Sequence, residues 1–178
     1  MNDLTGFRFC PFCGSGTIFE FDVKAIKCQN CGRVYYHNVA SAVAAIVETD
    51  LGIVFVRRSH APHAGSLDLP GGFLEYAETH EEALRREVLE ETGLKIKDMR
   101  YFCSFPNQYS YRNVTYFTAD VVFLCAPEKM DVLYGDHEVS EILIVPLNQI
   151  APALIAIPSM RMAVELYLSQ RDYSENAG

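Results

Sequence analysis

Between Gly72 and Leu94 the chain reads GFLEYAETHEEALRREVLEETGL, with Glu78, Glu81, Glu82, Glu87, Glu90 and Glu91 set around Arg85 and Arg86. No other stretch restricts the fold and the chemistry as much. Thr79 with Glu82 three residues on is a capping-box pattern, so a helix is predicted to start there. Gly93 is the expected left-handed stop after its last turn. At about 100° per residue, Arg86, Glu90, Ala83, Glu87 and Glu91 fall in that order along one side. Leu84 and Val88 lie beside them and should pack inward. Like charges three and four residues apart cost a helix a few tenths of a kcal/mol per pair. Such crowding makes sense with a cation over it, and carboxylates with room for water suit Mg²⁺ or Mn²⁺ bridging to phosphate. A merely solvated acidic face is the competing reading.

The order of residues argues for the cation. The stretch resembles the Nudix box, G-x5-E-x7-R-E-U-x-E-E-x-G-U with U aliphatic. Gly72, Glu78, Arg86, Glu87, Val88, Glu90, Glu91, Gly93 and Leu94 fill every fixed position. At ~6% usage per residue type, seven single-residue matches arise by chance about once in 10⁸ to 10⁹ start positions. Over residues 39 to about 168 the resemblance implies an α/β chain with the Nudix fold, a mixed sheet sandwiched between helices. Periodicity alone reaches only "α/β".

Ahead of this lie Cys10-Pro-Phe-Cys13-Gly and Cys28-Gln-Asn-Cys31-Gly. Two C-x2-C knuckles at this spacing read as a zinc ribbon: four thiolates at tetrahedral geometry select Zn²⁺. Each knuckle is followed by Gly, expected to turn backbone N–H groups toward the thiolates. Redox pairs or an iron–sulfur site are the alternatives. Fewer than forty residues hold little core, so metal must supply stability. Two domains are therefore expected, a ribbon over residues 1–38 and a Nudix domain over 39–178. Cys103 and Cys125 read as small buried residues on strands.

Net charge decides among partners. At −8, with 15 Lys and Arg against 23 Asp and Glu, the chain is a poor general binder of nucleic-acid backbone. An anionic substrate must be drawn by metal and local arginines. No apolar run reaches the ~20 residues of a membrane span, and MNDLTG opens without a signal-peptide pattern. A cytoplasmic protein without membrane contact is expected, with a homodimer the common choice.

Along the second domain, Val39 to Val47 and Ile53 to Val56 read as a buried hairpin around Asp50-Leu51-Gly52, closed by Arg57 and Arg58. Met99 to Phe105, Tyr116 to Cys125 and Ile142 to Val145 read as further strands. Residues 109 to 113 read as a polar, aromatic loop. Ser159 is a plausible N-cap for a last helix burying Met160, Ala163, Val164, Tyr167 and Leu168. Residues 172 to 178 read as a frayed tail.

The resemblance implies hydrolysis of a nucleoside diphosphate linked to another group. Carried over residue by residue, Glu87, Glu90 and Glu91 would hold the catalytic Mg²⁺ or Mn²⁺, with a carbonyl of Gly71 or Gly72 added. Arg86 would orient these carboxylates, and Glu78 would anchor the loop before the helix. In some members the general base is a box glutamate, in others a later one. Here Glu138 is the first candidate and Glu141 the second, in the acidic loop 136 to 141. Arg57 and Arg58 are candidate phosphate contacts.

A ribbon before the box resembles the NADH pyrophosphatase arrangement, whose members carry S-Q-P-W-P-F-P-x-S after the box. This chain keeps Ser104 and Pro106 of that motif and has no Trp. Tyr109 and Tyr111 stand sixteen and eighteen residues past Gly93, where an aromatic can stack on adenine. The expected substrate is a small nucleotide such as ADP-ribose, NADH or FAD. The alternatives are processing of an RNA 5′ cap or NAD cap, and a non-catalytic nucleotide sensor.

Overall fold

The strand Ala40–Thr49 explains the architecture. Its residues alternate between two cores. Ala44 and Ile46 face one, with Phe55, Val122, Leu124, Met160, Ala163 and Val164. Val43, Ala45 and Val47 face the other, with Val54, Phe123, Ala83, Leu84 and Val88. A strand covered on both faces has no need of polar alternation, which is why this run is apolar throughout.

The computed structural model describes residues 4, 6–111, 114–130, 133–135 and 137–176, with the side chains of 110, 111, 114 and 172–176 outside that description. In chain order the strands are β1 (Ile18–Asp22), β2 (Ala25–Cys28), β3 (Val34–Tyr36), β4 (Ala40–Thr49), β5 (Gly52–Arg58), β6 (Leu67–Asp68) and β7 (Gly71–Phe73). Helix α1 (His80–Thr92) follows, then β8 (Ile96–Tyr111), β9 (Val114–Pro127), β10 (Val139–Val145), two 3₁₀ turns and helix α2 (Pro158–Asn176). The residues group into two compact units, Met1–Ala40 with Gln108–Phe117, and Ser41–Asn107 with Thr118–Gly178.

In the first unit, β1, β2 and β3 form an antiparallel sheet in that order. Ile26 is buried on β2, and Phe7 packs its ring on Tyr35 at 5.3 Å between centroids. His37 Nε2 lies 3.3 Å from the carbonyl of Thr115.

In the second unit the sheet runs β10-β5-β4-β9-β8, with β6 on β5 and β7 on β4. Helix α1 packs Ala83, Leu84 and Val88 on one face, and α2 packs Met160, Ala163, Val164 and Tyr167 on the other. The expected sheet between helices is what the chain forms. No described helix is long and apolar enough to cross a membrane. Cys103 and Cys125 are buried on β8 and β9 as expected, and burial pushes their thiols up to about 11 and 12.

Four local expectations need correction. Residues 109–111 continue β8 instead of forming a loop, and β9 resumes at Val114. Tyr and Ser alternate well on a pleated surface, so polarity misled the reading. Glu141 stands on β10, not in the acidic loop. Ser159 lies inside α2, fully buried, donating its hydroxyl to Asp120 Oδ2 at 2.6 Å. Helix α2 runs on to Asn176, so residues 172–176 are helical and not a frayed tail.

Helix α1 begins and ends where its sequence demands. Thr79 Oγ1 accepts from the Glu82 N–H, Glu82 Oε2 accepts from the Thr79 N–H, and Gly93 closes the helix at φ 74°. Thr79→Ala removes one of these bonds. It is expected to cost about 1 kcal/mol of unfolding free energy, measured by urea titration with unchanged slope.

Candidate active site

Helix α1 sets Glu87, Glu90 and Glu91 beside β7, and each carboxylate is held differently. Glu91 is buried, and its Oε2 accepts the Gly71 N–H at 2.8 Å. Glu87 lies against the backbone of Gly72: a Cβ there would sit 2.4 Å from Glu87 Oε1, so any side chain at 72 would push the Glu87 carboxylate out of its place. Glu90 is half exposed, with a 3.3 Å contact to Arg86.

Arg86 organises the group. Its Nε and one terminal nitrogen fork onto Glu78, Nε to Oε1 at 2.7 Å and Nη2 to Oε2 at 2.9 Å. Nη2 also donates to the Phe73 carbonyl at 3.1 Å. Nη1 donates to Glu87 Oε1 at 2.8 Å and to Glu90. Forked pairs of this kind fix geometry as well as charge. The Arg86 hydrogen bonds hold the Glu78 carboxyl down at about 2. Glu78 Oε2 also accepts the Glu75 N–H at 2.9 Å, which ties the loop before the helix.

Glu87 shifts the other way. Burial raises its carboxyl, Arg86 opposes this, and the charges of Glu90 and Glu138 raise it further. A half-buried carboxylate among negative neighbours is an environment that a bound cation relieves. Glu138 is thus close enough for Glu87 to feel its charge. Glu141 is instead paired with Arg57, Oε2 to Nε at 2.8 Å.

The two arginines that close β5 both bond within the chain. Arg57 also donates to the Gly65 carbonyl at 2.9 Å. Arg58 donates to the Pro62 carbonyl at 3.1 Å and pairs with Asp68 Oδ2 at 2.9 Å. Tyr109 belongs to the first compact unit. Tyr111 ends β8, and its side chain lies outside the described residues.

The four ribbon cysteines come together. Cys10 and Cys31 place their Sγ atoms 3.7 Å apart, as do Cys13 and Cys28, and all four lie within 4.8 Å of one another. That is a metal-competent set, and among the described residues it is the one such group with donors gathered so closely. The box carboxylates are spread between Arg86 and Gly71 instead. The glycine amides after the knuckles bond to the carbonyls of Cys10 and Cys28, not to sulfur. The amides one residue further on, Ser15 and Arg33, bond to Cys13 and Cys31.

Comparison with known proteins matches the NUDIX domain to residues 37–165. This chain belongs to the Nudix family. The chain is 35% identical over 115 residues to a NAD-capped RNA hydrolase NudC of Haemophilus influenzae, covering 64% of this chain and 44% of that one. The NudC of Klebsiella pneumoniae is 32% identical over 114 residues, with the same coverage. The chain spans less than half the length of these curated relatives. Among solved structures, a NUDIX hydrolase from Nitrosomonas europaea superposes at TM-score 0.75 with 23% identity, covering 94% of this chain and 93% of that one. The NUDIX domain of Shewanella oneidensis NrtR, complexed with ADP ribose, superposes at 0.58 with 19% identity, covering 78% and 90%. These two likenesses concern the fold.

Within the Nudix frame, reading the sequence missed two features. One is the Phe73 carbonyl, a backbone anchor for Arg86 that carries no sequence signal. The other is Asp68, buried between Leu67 and Leu69 just before the box. A lone acid in an L-D-L-P run was the available clue, since such a residue needs a partner. Desolvation raises the Asp68 carboxyl to about 6, with Arg58 opposing and Asp120 adding to the rise. In an unfolded chain it titrates near 4. The folded state therefore favours the protonated form. Its contribution to stability is full below about pH 4 and is lost as pH rises through about 6. Asp68→Asn is expected to flatten that part of the profile, measured by urea unfolding of both proteins from pH 4 to 7.

Proposed function

We propose that residues 39–178 form a divalent-metal-dependent pyrophosphohydrolase domain, preceded by a zinc ribbon over residues 1–38. The observation that carries the hydrolase reading is the placement of Glu87, Glu90 and Glu91 against the Gly71–Gly72 backbone, with Arg86 holding the cluster from one side. The substrate class is a nucleoside diphosphate derivative such as ADP-ribose, NADH or FAD. The names of the NudC relatives support a dinucleotide diphosphate, and by the same token an NAD-capped RNA end as the second reading.

Glu87, Glu90 and Glu91 would hold Mg²⁺ or Mn²⁺ with a Gly71 or Gly72 carbonyl. The donor set fits hard cations: carboxylate and carbonyl oxygens, with one carboxylate half exposed. Bound there, such ions neutralise the diphosphate and lower the pKa of the attacking water. Arg86 keeps Glu87 and Glu90 oriented, and Glu78 keeps Arg86 in place. Glu138 accepts the proton of the attacking water. Water oxygen bonds to one phosphorus, the bridging P–O bond breaks, and the bridging oxygen leaves with the other phosphate. Glu138 is preferred to Glu141 because Glu87 feels its charge, whereas Glu141 is neutralised by Arg57.

Zinc is the metal proposed for the ribbon. A tetrahedron with Zn–S near 2.3 Å has S···S edges of about 3.8 Å, and the two closest pairs here measure 3.7 Å. Purified protein is expected to carry one zinc per chain by atomic absorption. Cys28→Ser is expected to abolish that content.

The hydrolase reading is tested with Mg²⁺ or Mn²⁺ against ADP-ribose, NADH, FAD, diadenosine polyphosphates and NAD-capped RNA. Turnover of at least one small dinucleotide is expected, and inertness across the panel would favour a sensor. Glu91→Gln keeps an acceptor for the Gly71 N–H and removes the charge. Turnover is expected to fall at least ~10²-fold with the fold intact by circular dichroism. Unchanged turnover at saturating Mg²⁺ would refute the ligand assignment.

A further inference from the structure

The first unit's three-stranded sheet has two unlike faces. One carries Ile26 and Tyr35, register partners on β2 and β3, with Phe7 packed on Tyr35. The other carries Phe19, opposite Lys27 in register, and Lys27 is in turn opposite Val34. The Lys27 ammonium lies 5.4 Å from the centre of the Phe21 ring. Tyr36 follows on the same face of β3. Phe19, Phe21 and Tyr36 remain 42%, 51% and 48% exposed. A second such pair stands at the knuckles, the Arg33 guanidinium 5.2 Å from the Phe12 ring. Of the two acids on β1, Glu20 faces the other way in register with Ile26; Asp22, opposite Ala25 after the β1 bulge, shares the Lys27 face at its edge, where its Oδ1 accepts the Val23 N–H at 2.6 Å.

Charge follows the same division. Residues 1–40 contain four Lys and Arg against three Asp and Glu, so the acidic excess of the chain lies elsewhere. Exposed aromatic rings interleaved with cations, on a segment spared that excess, match a stacked base and its phosphate. Every base has a π-face, so such a platform needs no sequence readout. The bases must be unpaired to reach the rings, which excludes duplex. A face built for a second copy of the chain would not place Lys27 at its centre, since lysine is depleted from such interfaces.

We propose that the β1–β3 face of Phe19, Phe21, Lys27 and Tyr36 binds single-stranded nucleic acid by stacking and phosphate pairing. The surface uses none of the box carboxylates, so its binding is separable from hydrolysis.

The test is fluorescence anisotropy of labelled U12 and dT12 titrated with the full chain in zinc-containing buffer, at several salt concentrations. Saturable binding is expected, with a shallow salt dependence from the few cations involved. Phe19→Ala with Phe21→Ala is expected to weaken it at least ~10-fold, and Lys27→Ala to lower the salt slope. Phe21→Tyr should retain binding. Circular dichroism and zinc content confirm that each variant is folded. Equal affinity of the double variant would overturn the proposal, as would absence of wild-type binding at tens of micromolar protein. Sedimentation velocity on the same proteins covers the other occupant. A wild-type dimer that the double variant loses, without oligonucleotide binding, would assign the face to a second copy and refute the proposal.

Discussion

One guanidinium holds the acidic helix face together. Arg86 bonds to Glu78, Glu87, Glu90 and the Phe73 carbonyl, so a single cation ties the helix to the loop before it and to strand β7. Without it, the carboxylates of one helical face would repel each other with only solvent to screen them. The same contacts set unlike environments for neighbouring acids. Glu78 is held ionised by direct pairing, while Glu87 is pushed toward neutrality by burial and by negative neighbours. These opposite shifts fit the proposed division of roles, Glu78 as anchor and Glu87 as ligand.

The two compact units rely on different physics. The Ser41–Asn107 and Thr118–Gly178 segments bury two apolar layers, one under each helix, and their stability is that of any well-packed α/β sheet. The first unit buries few residues, among them Leu4, Cys10, Ala25, Ile26 and Cys28. A metal held by the four converging cysteines would supply the cross-link that a short chain cannot obtain from packing alone.

Much of this was legible in the sequence, and the reasons are local. The capping box of α1, its glycine stop and its inward-facing Leu84 and Val88 follow from rules that span a few residues, and the structure has all of them. Strand β4 was legible because a doubly covered strand is simply apolar. Several features that the sequence hid depend on distant partners. Ser159 looked like a cap because its bond to Asp120, across 39 residues, leaves no trace in the local pattern. The ion pairs of Arg57 with Glu141 and Arg58 with Asp68 were not foreseen, because those acids are set beside them only by strand pairing. Residues 109–111 looked like loop because they are polar, yet they continue β8 within the part that groups with the first unit.

The alternation along β4 has a further consequence for what this chain tolerates. Val43 pairs with Gly72 and Ala44 with Gly71, so the residues that sort into the two cores also set where the glycines meet Glu87 and Glu91. Inserting or deleting one residue between Val43 and Val47 would either turn the side chains beyond the change to the opposite layer or slide Val43 and Ala44 off Gly72 and Gly71, unless a bulge absorbed it. Length changes in this strand are therefore costly. Variation in chain length is taken up more easily beyond its ends, where neither the two layers nor the two glycine pairings are disturbed.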